Sequence, residues 1–193
     1  MENDERVSTD EELARRAQSG EHESYAVLVE RYEEKMKRYA LRILSNSDEV
    51  DDVVQDVFFK AYRNLRSFDS QRRFSPWLYR IAHNELMNSL KRRYRDPLLF
   101  FDPETLFPHP ASDEDIAGDA ERKEITHLIE GSLQKLPAKY REPLFFFYVE
   151  GLTYQEIADV LHIPRGTVSI RIRRGKGLLK SLVEQTGYRH ESE

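Results

Sequence analysis

Tyr25, Leu28, Val29, Tyr32, Met36, Tyr39, Ala40, Ile43 and Leu44 recur at the spacing of one helix face. The polar run Ser45-Asn46-Ser47-Asp48 interrupts them, and Ser47 or Asp48 suits the N-cap of a following helix. That helix carries Val50, Val53, Val54, Val57, Phe58, Ala61, Tyr62 and Leu65 on its apolar side. A polar loop from Arg66 to Phe74 comes next. Ser75-Pro76 then predicts a third helix, with Ser as cap and Pro at the first helical position, and Leu78, Ile81, Ala82, Leu86 and Leu90 inward. A short helix around Asp10 to Ser19 precedes all three.

From Asp96 to Glu121 the periodicity fails, and Pro97, Pro103, Pro108 and Pro110 punctuate the stretch, so it reads as a flexible linker. Beyond it, Ile125, Leu128, Ile129, Leu133 and Leu136 form a stripe ended by Pro137. A helix through Leu144 to Val149 stops at Gly151. Thr153-Tyr154-Gln155-Glu156 is a capping-box pattern opening a helix with Ile157, Ala158 and Leu161. His162-Ile163-Pro164 breaks it. A last helix starts near Arg165 with Val168, Ile172, Gly175, Leu179 and Leu182 inward. The fold class is therefore all-α, in two small helical domains: residues 1–95, an acidic flexible linker at 96–121, and residues 122–193.

Composition narrows this little further. A length of 193 residues with 39% hydrophobic and 34% charged positions fits two helix-rich modules with modest cores. No apolar run approaches the ~20 residues of a membrane span, and the polar, acidic stretch Met1–Asp10 is unlike a signal peptide. With no cysteine, disulfides and thiolate chemistry are excluded, and a cytoplasmic setting is the expectation.

Charge changes the picture more. The net charge of -5 argues against a protein that coats nucleic acid, but its distribution argues otherwise. Arg72, Arg73, Arg80, Lys91, Arg92, Arg93 and Arg95 stand against one acid, Glu85; Arg165, Arg171, Arg173, Arg174, Lys176 and Lys180 stand against none. Between these blocks lie Asp102, Glu104, Asp113, Glu114, Asp115, Asp119 and Glu121. Patches of one sign steer a polyanion even when the net charge is unfavourable.

The strongest local signal spans Thr153 to Lys180: a capped short helix, a tight turn and a basic helix make a helix-turn-helix pattern, whose second helix fits the major groove. With the stripe inward, Ser169, Ile170, Arg173, Arg174 and Lys176 point out. Arg reads guanine bidentately there, and Ile can meet a thymine methyl. Gly166 permits close backbone approach, and Thr167 can donate to a phosphate. The second signal is Arg72-Arg73-Phe74-Ser75-Pro76-Trp77-Leu78-Tyr79-Arg80, where aromatic and basic residues interleave as they do in single-strand binders. Phe74, Trp77 and Tyr79 each alone read better as core residues, and the polar loop Ser67 to Arg73 as the better holder of an extruded base. The third is the acidic, amphipathic Asp48–Tyr62; Asp51, Asp52 and Asp56 read as dipole partners or a docking face rather than as a metal site.

Four stretches in order resemble the extracytoplasmic-function sigma factors of bacterial RNA polymerase. They are Asp52-Val53-Val54-Gln55-Asp56-Val57-Phe58, Phe74 to Asn84, Leu136-Pro137 with Gly151 to Ala158, and Ile163-Pro164-Arg165-Gly166-Thr167-Val168. The resemblance covers about Glu12 to Val183. It implies two helical domains, regions 2 and 4, and no catalytic site, cofactor or metal. It implies that Asp52, Gln55, Asp56 and Phe59 dock on core RNA polymerase. It assigns promoter −10 recognition to Ser67, Phe68, Asp69, Arg72, Arg73, Phe74 and Trp77, and to Arg80, Asn84, Asn88, Lys91 and Arg92 on the adjoining helix. Region 4 would read the −35 element with Arg165, Ser169, Ile170, Arg173, Arg174 and Lys176, and touch phosphates with Thr153, Thr167 and Arg171. An anti-sigma factor is the implied regulator, and no membrane insertion of this chain is implied. Two positions depart from the family pattern: His162 where the turn usually has Gly, and Ile170 where Ser is usual.

Two other readings compete on the residues alone. One is a stand-alone helix-turn-helix regulator binding duplex DNA without polymerase, to which the chemistry of Arg66–Arg95 would be superfluous. The other is a polymerase-sequestering interaction protein. An enzyme fits worst: His22, His83, His109, His127, His162 and His190 are scattered, with no metal-ligand pair.

Overall fold

A computed structural model describes residues 8–44, 48–93, 132–133 and 135–185. Every regular element among the described residues is helical. In chain order these are α1 (Asp10–Gln18), α2 (His22–Ile43), α3 (Asp48–Asn64), a 3₁₀ turn (Leu65–Ser67), α4 (Phe74–Arg93), α5 (Ala138–Tyr148), α6 (Tyr154–Leu161) and α7 (Arg165–Gln185). The linker at 96–121 and the stripe residues Ile125, Leu128 and Ile129 lie outside the described residues, as do Ser47 and the Asp48 side chain. The chain divides into two compact units, one built from the helices up to Arg93 and the other mainly from those after Pro137.

In the first unit, α2, α3 and α4 bury the stripes that periodicity assigns them: Leu28, Tyr32, Met36, Tyr39 and Ile43; Val50, Val53, Val54, Val57 and Ala61; Leu78, Ala82, Leu86 and Leu90. Buried polar pins fix the register. The Tyr39 hydroxyl lies 2.9 Å from His83 Nδ1, Tyr25 donates to the Phe58 carbonyl at 2.6 Å, and Lys60 pairs with the buried Glu85 carboxylate. Such groups are retained in a core only when satisfied. Helix α1 is short, and a complete capping box between Thr9 and Glu12 supports it. Leu13 and Ala14 pack it down with no exposed surface, while Asp10 holds Arg31 at 2.7 Å and accepts from Tyr32 at 2.6 Å. The loss of solvent and the Asp10 carboxylate both push the Tyr32 phenol up.

Helix α4 begins at Phe74, one residue before the expected Ser cap, so Pro76 falls within the first turn instead of at its first position. The first-turn amides have no intrahelical partner in any case, so Pro is tolerated there. One of them is satisfied from a distance: the Phe74 amide donates to Glu11 Oε1 of α1 at 2.9 Å.

In the second unit, α5 starts directly after Pro137 and contains Pro143, and Gly151 ends the segment at φ +61. Thr153 and Glu156 form the expected reciprocal cap of α6. His162 caps its end in the left-handed region, at φ 53 and ψ 41, the geometry that favours Gly at this position. Leu144, Phe146, Leu152, Ile157, Val160, Val168 and Ile172 form the core. Gly175 lets α7 approach α5: a Cβ there would come within 2.9 Å of Leu144 Cδ1 and 3.1 Å of Tyr140 Cβ.

Candidate nucleic-acid interface and docking face

Periodicity on α3 leaves a second face free of the core. Asp52, Gln55, Asp56 and Phe59 are all exposed, at the i, i+3, i+4, i+7 spacing of one stripe, with Phe59 58% exposed. Their edge toward α2 is an open groove lined by Tyr25, Val29, Val54, Phe58 and Tyr62. Lys37 of α2 stands 3.5 Å from Asp51 and 2.9 Å from Glu33; the hydrogen bond to Glu33 raises the Lys37 ammonium's pKa. The result is an acidic helix face with an exposed aromatic at its end. Among the described residues no group of His, Asp or Glu is placed to hold a metal ion.

The loop between Leu65 and Phe74 divides into an inner and an outer side. Phe68 and Phe74 are buried, 5% and 1% exposed, and meet edge to face at 5.5 Å. Trp77 lies 5.1 Å from Phe68 and 5.4 Å from Phe74, and Tyr32 abuts Phe74. Trp77 is half-buried, as expected of a core-edge residue. Phe68 and Phe74, both on the list of expected DNA contacts, are thus the floor beneath the loop; aromatic area of this kind dominates core energetics. The outer side is polar. Ser67, Asp69, Arg72 and Arg73 are exposed. Asp69 shapes the tip by accepting from the Gln71 amide at 3.0 Å, with Arg72 3.6 Å away.

The loop is also held from α1, which sequence reasoning overlooked. Gln18 Nε2 donates to the carbonyls of Leu65 at 2.8 Å and Phe68 at 2.7 Å. A glutamine in a polar last turn carries no local signal of such a role.

Beyond the loop, Arg80, Asn84, Asn88, Lys91 and Arg92 are exposed on α4. Spacings of four, four and three from Arg80 to Lys91 align them along one face. The opposite face carries Leu78, Ala82 and Leu86 into the core.

In the second unit the capping box of α6, the left-handed turn at His162 and α7 form the helix-turn-helix. Arg165, Ser169, Ile170, Arg173, Arg174 and Lys176 are exposed, Ile170 at 46%. Arg171 and Thr167 are half-buried at the flank. Thr153 Oγ1 accepts from the Glu156 amide, which leaves its proton to donate outward. Among the described residues nothing beyond its chain neighbours and its own helix backbone lies within 4 Å of the Cβ position of Gly166, so no packing contact there demands glycine. Behind the recognition helix sits an unanticipated acid. Among the described residues buried Glu142 Oε1 has no hydrogen-bond partner, and loss of solvent pushes its carboxyl up to about 7 against the pull of Arg141 and Arg171.

Comparison with known proteins gives a consistent result. Residues 28–96 match Sigma-70 region 2, and residues 126–179 match Sigma-70 region 4. The chain is 33% identical over 174 residues to the ECF RNA polymerase sigma factor SigW of Bacillus subtilis, covering 86% of this chain and 92% of that protein. It is 34% identical to the RNA polymerase sigma-H factor of Pseudomonas aeruginosa, over 86% of this chain and 90% of that one. Among solved structures, CnrH in complex with the cytosolic domain of CnrY aligns with a TM-score of 0.62 and 29% identity, covering 92% of this chain and 99% of CnrH. The sigma factor RpoE bound to the anti-sigma factor NepR from Bartonella quintana shares the fold, with a TM-score of 0.60 and 21% identity over 81% and 94% of the two chains.

Proposed function

The chain belongs to the extracytoplasmic-function sigma factors of the sigma-70 family, and from that premise we propose that it is a dissociable specificity subunit directing core RNA polymerase to its promoters. The observation that carries this reading is the sorting of exposed side chains into three separate chemistries. An acidic face on α3 suits a protein partner. A polar loop with an Arg, Asn and Lys face on α4 suits melted DNA. A basic face on α7 suits a duplex major groove. A duplex-only regulator has use for the third alone.

In this reading Asp52, Gln55, Asp56 and Phe59 bind the polymerase. Ser67, Asp69, Arg72 and Arg73 surround a −10 base extruded from the stack, and Arg80, Asn84, Asn88, Lys91 and Arg92 follow the melted strand. Arg165, Ser169, Ile170, Arg173, Arg174 and Lys176 read the −35 duplex, with Thr153, Thr167 and Arg171 on phosphates. The domains take the bounds 1–95 and 122–193, and the acidic linker at 96–121 opposes DNA binding by the free chain. Core polymerase holds both domains at a fixed separation, which makes recognition of the second element effectively intramolecular. Extruding a base costs a few kcal/mol, which a pre-shaped pocket offsets. The family is one of transcription regulators, and the chain works without catalysis of its own, in the cytoplasm. No helix among the described residues is long and apolar enough to cross a membrane. An anti-sigma factor holds the chain inactive in this reading, in keeping with the sigma factor RpoE of the same fold, which is solved with the anti-sigma factor NepR.

The test is gel-shift on a promoter fragment with and without core enzyme. Binding that requires core, and that Asp56→Lys abolishes, supports the reading. Tight binding by the chain alone favours the duplex regulator.

A further inference from the structure

Helix α1 lies outside every proposed DNA and polymerase contact, yet it is built with care. It has a complete capping box, three buried apolar residues (Leu13, Ala14 and Ala17) and an ion pair from Asp10 to Arg31 of α2. A nine-residue helix does not persist on its own propensity, so these features exist to hold it in place. From that position it reaches both ends of the Leu65–Phe74 loop. Gln18 donates to the Leu65 and Phe68 carbonyls, and Glu11 accepts from the Phe74 amide. Other bonds in the loop are local, among them Ser67 Oγ to the Asn64 carbonyl, the Phe68 amide to the Leu65 carbonyl, and the Gln71 and Arg72 amides to Asp69. These local bonds shape the tip, and the Gln18 and Glu11 bonds tie it to α1 above the buried Phe68 and Phe74.

We propose that α1 is a brace for the base-capturing loop, with Gln18 and Glu11 as positioning residues that set how strictly the loop discriminates the base it holds. The inference rests on the reading of that loop given above. A site that selects by fit loses discrimination when its supporting groups loosen by a fraction of an ångström. Gln18 is the main post because its amide is the donor to two carbonyls at once.

The experiment uses the full chain with core RNA polymerase on promoter fragments selected with the unaltered protein, carrying each of the four bases at the captured position. Run-off transcription from the best base over the next best is the readout. Hydrogen exchange of amides 66–73, with α3 amides as the control, reads the brace independently of any promoter. Gln18→Met keeps the length of the side chain and removes the donors. It is expected to lower the discrimination ratio and to speed loop exchange by about tenfold each, the scale of one or two hydrogen bonds. Core affinity and α3 exchange stay unchanged. Glu11→Ala acts in the same direction, while Glu11→Gln, which keeps an acceptor, stays near the unaltered protein. Unchanged discrimination and unchanged loop exchange in Gln18→Met overturn the brace. So does a fall in transcription equal for all four bases, which marks a purely structural role. If the unaltered protein itself shows no base-selective transcription with core, the initiation-factor reading falls and this inference falls with it.

Discussion

Gly175 of α7 faces Leu144 of α5 so closely that any side chain at 175 would begin 2.9 Å from Leu144 Cδ1. Leu144 is fully buried and cannot swing away. Two residues on, nothing among the described residues beyond its own helix backbone lies within 4 Å of the Cβ position of Gly177. Gly175→Val is therefore expected to destabilise the second domain by about 1–3 kcal/mol through overpacking. Gly177→Ala is expected to stabilise it by roughly 0.5–1 kcal/mol through helix propensity. Urea denaturation of the two variants checks the opposite signs.

The left-handed backbone at His162 gives a second stability prediction. A β-branched residue is a steric outlier there, so His162→Val is expected to cost about 1–2 kcal/mol. His162→Gly is expected to be neutral or mildly stabilising, because it relieves the Cβ contact while giving up the imidazole's own interactions. Thermal unfolding, read by a probe in the second domain, distinguishes them.

Glu142 predicts a pH dependence. Its folded carboxyl titrates at about 7, above the ordinary 4.5, so the folded state holds the proton more tightly. Its contribution to stability is fully present below about pH 4.5 and is lost as pH rises through 7. Glu142→Gln, a permanent mimic of the protonated acid, should match the unaltered protein near pH 4. By pH 8 it should be more stable by about 1–3 kcal/mol. A variant-minus-parent stability difference that is flat across this range would contradict the assignment.

Arg174 and Arg171 both lie on α7, Arg174 exposed and Arg171 half-buried at the flank, and their proposed roles differ. Arg174→Ala should cost about 1–3 kcal/mol on the preferred −35 sequence and relax selectivity at one position. Arg171→Ala should weaken binding to all sequences alike and lower the salt slope by about one. Competition binding across salt concentrations, with core polymerase present, separates the two.

Most of the helices were legible because their apolar residues keep strict helical spacing and their ends carry local signals: the Thr153–Glu156 box, Gly151, and Pro164 after the turn. At His162 the sequence shows only a His where the family's turn usually has Gly; the left-handed backbone itself appears in the structure. Features that depend on distant partners were not legible. Helix α4 starts at Phe74 because Glu11, far back in the chain, supplies its acceptor. Phe74 alone reads as core, and only the family resemblance places Phe68 and Phe74 on DNA; a four-ring cluster with Tyr32 and Trp77 takes both inward. Gln18 and Glu142 carry no pattern at all, because their roles arise only when α1 meets the loop and α5 meets α7.

Run-off transcription tests the central claim most directly, using purified core RNA polymerase on a library of promoter fragments with and without this protein. The account predicts specific transcripts that depend on the protein and disappear with Asn84→Ala and Arg174→Ala. No core-dependent transcription, together with tight duplex binding by the protein alone, would contradict it.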